Sequence, residues 1–192
     1  MENILLKTID ASDRIVVTGL DLSLTNSGVA VITGRCEAEY FSLGYGLTKA
    51  SERDRQDRIC YIANQVMGFL KKFAPFTAIG VEDYAFSQLG KLTMLAELCG
   101  VIKNQCYLLG TVPLVIPPNS VRKEVVGKAK ADKEQVKIHL EKKLGYPPVS
   151  DLDQSDALAV AEVCWRWANG SLANSDLHDR LYRQQRVRRK TK

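Results

Sequence analysis

Nothing in this chain of 192 residues approaches the run of roughly 20 apolar residues that a membrane-spanning helix requires. A secretory leader is not expected either, because the start mixes Glu2, Lys7, Asp10 and Asp13 into its apolar positions. The five cysteines, Cys36, Cys60, Cys99, Cys106 and Cys164, contain no CxxC pair and no regular framework. That argues against structural zinc and against a disulfide scaffold, and suits buried thiols in a reducing compartment. A second full domain would not fit in the length. The expectation is one soluble, intracellular domain that meets no membrane.

The 45% apolar share is enough for a core, and the charge is unevenly placed. Arg180, Arg183, Arg186, Arg188, Arg189, Lys190 and Lys192 follow Asp179 with no further acid. Removing these seven from the net +5 leaves about −2 for the body. A basic tail on a mildly acidic body suits a protein that finds a polyanion while holding acids for a metal, although a merely solubilising tail has the same composition.

Hydrophobic periodicity predicts the elements. Arg14–Leu22 and Gly28–Thr33 are β-branched runs joined by Leu24-Thr25-Asn26-Ser27-Gly28, turn chemistry for an antiparallel hairpin, and Glu37–Leu43 is a third strand. Ser51–Phe73 places Ile59, Ile62, Val66, Leu70 and Phe73 at helical spacing. Thr77–Tyr84 and Thr111–Ile116 read as buried strands, and further helices cover Val121–Val126, Asp132–Leu144 and Gln154–Asn169. Between the two buried strands, a helix over Leu89–Leu109 has two apolar stripes: Leu92, Leu95, Cys99, Ile102 and Cys106, then Met94, Leu98, Val101 and Leu108. A helix apolar on two sides is either sandwiched inside its own domain or shared with a partner, and in a domain this small the second stripe favours a homodimer interface. The sum is an α/β fold with a mixed sheet.

Four acids stand out. Asp21 and Glu82 each end an apolar strand, and Asp153 and Asp156 open the last helix of the body, three residues apart on one face. An ionised carboxylate in an apolar strand is costly unless a cation or hydrogen bonds offset it. Alternation puts Glu82 and Asp83 on opposite faces, so only one of them can share a site with Asp21. Milder readings exist: Asp21 could cap the following turn, and Asp153 could cap its helix.

Together, Gly19-Leu20-Asp21-Leu22-Ser23 with Ser27-Gly28-Val29-Ala30, then Val81-Glu82-Asp83-Tyr84, then Asp153-Gln154-Ser155-Asp156-Ala157-Leu158-Ala159 resemble the active-site segments of RuvC-type Holliday junction resolvases. Ser120–Gly127 and Ala131–Val136 resemble that family's basic segment. The resemblance implies a ribonuclease H-like fold with a five-stranded mixed sheet flanked by helices, occupying residues 14–169 between an extension, 1–13, and a basic tail, 170–192. It implies Asp21, Glu82, Asp153 and Asp156 as ligands of two Mg²⁺ ions, for which Mn²⁺ could substitute, with Lys133 as a catalytic cation near the cleaved strand. Arg122, Lys123, Lys128 and Lys130 would contact DNA. Tyr84 and Phe86 fall where the family stacks aromatics on opened base pairs, a role that core packing would explain as well. His139 and His178 match no role, and His139 reads as solvated.

What the resemblance implies is a homodimer that nicks four-way DNA junctions symmetrically, with any branch-migration helicase unspecified. Carboxylates select hard cations, and two of them could share activation of water and stabilisation of the leaving oxygen, Asp21 bridging both. Other readings are a broader branched-DNA debranching nuclease, another ribonuclease H-like hydrolase, or a non-catalytic junction-binding module. Gly19-Leu20-Asp21 also resembles the first phosphate loop of sugar kinases and actin-like ATPases, but a second domain and a later Gly-rich loop are missing.

Overall fold

Among the described residues, strand structure starts in the β-branched run Ile15-Val16-Val17-Thr18. The structure, a computed structural model, describes residues 15–34, 37–44, 52–83, 89–172 and 175–186. Three strands open it, β1 (Val17–Asp21), β2 (Asn26–Gly34) and β3 (Glu37–Gly44), followed by helix α1 (Glu52–Leu70), β4 (Ala78–Glu82), α2 (Leu89–Leu108) and β5 (Leu114–Ile116). Helices α3 (Pro118–Val126), α4 (Lys133–Lys142), α5 (Leu152–Ala168) and α6 (Asp176–Arg186) complete it. The five-stranded sheet has the order β3-β2-β1-β4-β5, with β1, β2 and β3 antiparallel and β1, β4 and β5 parallel. This is the mixed sheet expected from the pattern.

The turn between β1 and β2 is closed by Ser23 and Ser27. Ser23 Oγ accepts from the N–H groups of Thr25 and Asn26 at 3.1 and 3.2 Å, and Ser27 Oγ both donates to the Ser23 carbonyl and accepts from its N–H. Asp21 is thereby spared the capping role that its position allowed.

Strand alternation sorts the sheet into two faces. Leu20, Val29, Val31, Ile79 and Val81 pack with α1 and α2 in one core; Val17, Ala30, Ile32 and Ala78 pack with α3, α4, α5 and α6 in the other. On the second face the series Val17, Gly19, Asp21 and Ala78, Gly80, Glu82 run side by side, because β1 and β4 pair in parallel with Gly19 opposite Gly80. Glycine there is a requirement of close approach. A Cβ at Gly19 would overlap the Ala157 carbonyl and the Ala161 nitrogen of α5, and one at Gly28 would overlap the Asp153 carbonyl. At Gly80 the nearest atoms are side-chain tips, Cys164 Sγ at 2.5 Å and Val160 Cγ1 at 2.7 Å. Helix α5 therefore lies directly on the sheet, buried without interruption from Gln154 to Cys164.

Two expectations change. Leu98, assigned to the second apolar stripe of α2, is fully buried with Cys99, Ile102 and Cys106, because α2 packs against α1 as well as against the sheet. Only part of that stripe reaches solvent: Val101 is 40% and Leu108 67% exposed, with Tyr107 beside them at 56%. The segment set apart as a basic tail contains α6, whose Leu177 and Leu181 enter the core. Its Gln184 side chain accepts from the Val115 N–H at 2.9 Å and donates to the Val115 carbonyl at 3.0 Å, pairing with β5 as a strand would. Residues 1–14 and 187–192 lie outside the described residues.

The glycines give a direct test. Gly19→Ala meets rigid backbone and should destabilise the protein by about 3 kcal/mol or more, whereas Gly80→Ala meets side-chain atoms of Cys164 and Val160 and should cost less, about 1–3 kcal/mol. Denaturant melts of both variants check the order, and equal losses would contradict the close approach of α5.

Candidate active site

Asp21 is the last residue of β1 and Glu82 the last of β4, so parallel pairing sets the two carboxylates next to each other at one end of the sheet. Asp156, buried in the second turn of α5, completes the group from above. Oxygens of Asp21, Glu82 and Asp156 lie within 4.8 Å of one another. Three acids from three elements are thus held together by strand register and by the glycine contacts beneath α5.

The fourth acid stands beside this group. Asp153 lies in the first turn of α5, and its Oδ2 accepts from Asn26 Nδ2 of β2 at 2.5 Å. Its Oδ1 is 3.6 Å from Lys133 Nζ. Asp153 does not cap the helix; Asp151 does, accepting from the Gln154 N–H at 2.8 Å. Asn26 is the site residue that sequence reading missed. Its position in a turn between two strands was the available signal, but its partner is 127 residues away.

Lys133 is the first residue of α4, which is started by a capping box between Asp132 and Gln135. Its Nζ lies 2.5 Å from Asp156 Oδ2. Burial works against the ammonium, yet the hydrogen bond to Asp156 and the charges of Asp156, Asp21 and Asp153 outweigh it and raise its pKa. Arg122 and Lys123 are on α3, Arg122 half-buried and Lys123 exposed, and Lys128 and Lys130 are exposed in the α3–α4 connection. Tyr84 and Phe86 lie outside the described residues. Asp83 follows the last residue of β4, and its N–H donates to the Ile116 carbonyl of β5 at 2.9 Å. His139 is half-buried, not solvated; burial and then the charges of Arg166 and Lys143 lower its pKa.

The electrostatics are those of an acid cluster short of positive charge. Burial, then the neighbouring Asp156 carboxylate, pushes Asp21 from 3.8 up to about 6 despite the nearby Lys133. Burial and the charges of Asp21 and Asp156 push Glu82 from 4.5 up to about 8, with only Arg122 opposing. The donor set is all oxygen, the kind that hard divalent cations select. The residues present therefore fit such a cation. Burial pushes the Cys99 thiol up to about 11 and that of Cys106 to about 12, which disfavours the thiolate a metal would need at either.

A mixed sheet with two strand-end acids, met by a third from a helix crossing it, defines a ribonuclease H-like protein with a carboxylate centre. The family model described as crossover junction endodeoxyribonuclease RuvC matches residues 17–164, so the chain belongs to the RuvC family of endodeoxyribonucleases. The RuvC of Leifsonia xyli is 27% identical over 83% of this chain and 77% of its own length; that of Campylobacter concisus is 30% identical over 76% and 92%. Among solved structures, Thermus thermophilus RuvC superposes with a TM-score of 0.64 at 23% identity, covering 82% of this chain and 97% of that one. The same protein in complex with a Holliday junction substrate gives 0.65 at 22% identity, covering 81% and 96%. The yeast mitochondrial Holliday junction resolvase gives 0.55 at 15%, covering 79% and 78%. These likenesses carry the fold. Among the described residues no helix is long and apolar enough to cross a membrane.

The raised carboxyls make cation-free stability depend on pH. The folded state holds these protons more tightly than the unfolded chain, so their contribution is complete below about pH 4 and is lost as pH rises through about 6 for Asp21 and 8 for Glu82. The melting temperature of cation-free protein should therefore fall from pH 5 to 8, and Mg²⁺ should reverse the fall. Thermal melts with and without chelator check this; a rising profile indifferent to Mg²⁺ would contradict it.

Proposed function

We propose that the chain hydrolyses phosphodiesters of four-way DNA junctions at the Asp21–Glu82–Asp156 centre, with a hard divalent cation as cofactor. One observation carries the reading: three carboxylates from three elements converge within 4.8 Å, at strand ends of a RuvC-family fold. Asp21, Glu82 and Asp156 would hold Mg²⁺ or Mn²⁺, two ions per site, with Asp153 next to them. When bound, the cations lower the pKa of water and neutralise charge on the reacting phosphate and the leaving 3′-oxygen.

The chain's own residues do the rest. Lys133 adds a fixed positive charge at the edge of the cluster, where a phosphate would otherwise face only acids. Asn26 holds Asp153 in one orientation. Arg122 of α3 acts on Glu82 through its charge, and phosphate contacts at Arg122, Lys123, Lys128 and Lys130 would orient the strand. A debranching nuclease with broader choice of branched DNA is the second reading, because the same centre serves it and phosphate contacts do not distinguish substrate shape.

The exposed stripe of α2 supports a homodimer, an arrangement that would place one centre on each of two symmetry-related strands. Any branch-migration partner and an intracellular location belong to this proposal as well.

Asp21→Asn, Glu82→Gln and Asp156→Asn should each lower junction cleavage by a factor of about 10³ or more, since each removes ligand charge with little change of volume. Junction binding measured in Ca²⁺ should persist, and Asp83→Asn should cut nearly as wild type. Near wild-type rates in all three would remove the site assignment. Val101→Glu should favour monomer in light scattering and lose paired nicking, whereas Leu98→Glu should unfold the chain; a monomeric wild type on junction DNA would end the dimer proposal.

A further inference from the structure

Helix α5 carries a second charged group that this chemistry does not use. Glu162, 6% exposed, lies less than two turns beyond Asp156. Its carboxylate accepts from the Tyr146 hydroxyl at 2.6 Å and from Arg166 Nε at 2.6 Å. Arg166 also donates through Nη1 to the backbone carbonyl of Glu124 in α3. Tyr146, 5% exposed, belongs to the connection from α4 to α5, where its N–H donates to the Leu140 carbonyl at 3.1 Å. The Val149 N–H further along donates to Glu141 Oε1 of α4 at 3.0 Å. One buried carboxylate thus joins α3, the end of α4 and α5.

Stability alone is a poor account of this network, because a buried ion pair is often no better than apolar groups of the same volume. What the network fixes is geometry. Helix α3 bears Arg122, whose charge opposes the rise of Glu82, and α4 begins with Lys133, 2.5 Å from Asp156. Among the described residues, these are the two cations that act on the acid cluster, and both ride on helices tied to Glu162.

We propose that Glu162 is a positioning residue that, through Tyr146 and Arg166, sets α4 and α3 so that Lys133 and Arg122 meet the acid cluster. The proposal rests on the nuclease reading for its kinetic consequence and on the geometry alone for its structural one. Glu162→Gln keeps the volume but removes the charge and presents an amide where two donors point. Tyr146→Phe removes one bond and keeps the packing.

Three measurements on the full chain test it. Single-turnover cleavage of a four-way junction in Mg²⁺ should slow about tenfold to a hundredfold in Glu162→Gln, with affinity in Ca²⁺ within about twofold, as expected for misplaced reacting groups. In a background lacking both positioned cations, Lys133→Ala with Arg122→Ala, the same change should add less than about twofold, since residues acting as one unit are not additive. Amide hydrogen exchange of the free protein should quicken at residues 123–126 and 133–136 in both Glu162→Gln and Tyr146→Phe, with β1 and β4 unchanged. Fully additive rate losses, or exchange quickening evenly across the protein, would make Glu162 merely structural and overturn the proposal. Should Glu162→Gln fail to fold, Tyr146→Phe decides alone by the same exchange pattern. Should the wild type fail to cut junctions, the nuclease reading falls, while the exchange pattern still decides for or against positioning.

Discussion

The site exists because a helix backbone touches a sheet backbone. Glycines at 19, 28 and 80 remove the side chains that would hold α5 away from β1, β2 and β4, and this contact brings Asp156 down to two strand ends. Strand pairing supplies the other coordinate. With Gly19 opposite Gly80 in parallel register, the residues two further on, Asp21 and Glu82, must also lie side by side on the α5 face. Small residues in one row thus determine where the acids two positions along can meet.

Bringing the acids together is costly without a counter-charge, and the protein offsets only part of that cost itself. Lys133 pairs with Asp156, Arg122 acts on Glu82, and Asn26 holds Asp153, yet burial and Asp156 still displace Asp21 toward its protonated form, and burial, Asp21 and Asp156 displace Glu82. A cation binding there would displace those protons, so its affinity would rise with pH through the range in which Asp21 and Glu82 titrate. Further along α5, Glu162 bonds to Tyr146 of the α4–α5 connection and to Arg166, which in turn donates to the Glu124 carbonyl of α3.

Much of this was legible in the sequence, for identifiable reasons. Period-two and period-3.6 patterns are local, so strands and helices from Val17 to Ala168 fall where periodicity put them, and an acid at the end of an apolar strand is a local anomaly that marks itself. Non-local facts were hidden. The pairing of Asn26 with Asp153 spans the whole domain, and the role of Gly19 depends on a helix nearly 140 residues later. Leu98 sits in an ambiguous position on a helix apolar on two sides, which only the contact with α1 resolves. Helix α6 escaped notice because its many arginines mask the spacing of Leu177 and Leu181.

The central claim is that this acid centre acts on branched DNA. It is tested most directly by offering the purified chain a synthetic four-way junction, a Y-shaped fork, a linear duplex and an RNA–DNA hybrid of matched sequence, with Mg²⁺ and with chelator. The account predicts paired nicks in the four-way junction that vanish with chelator, and little cutting of linear duplex. Preferential cutting of the hybrid, or junction cleavage unaffected by chelation, would contradict it.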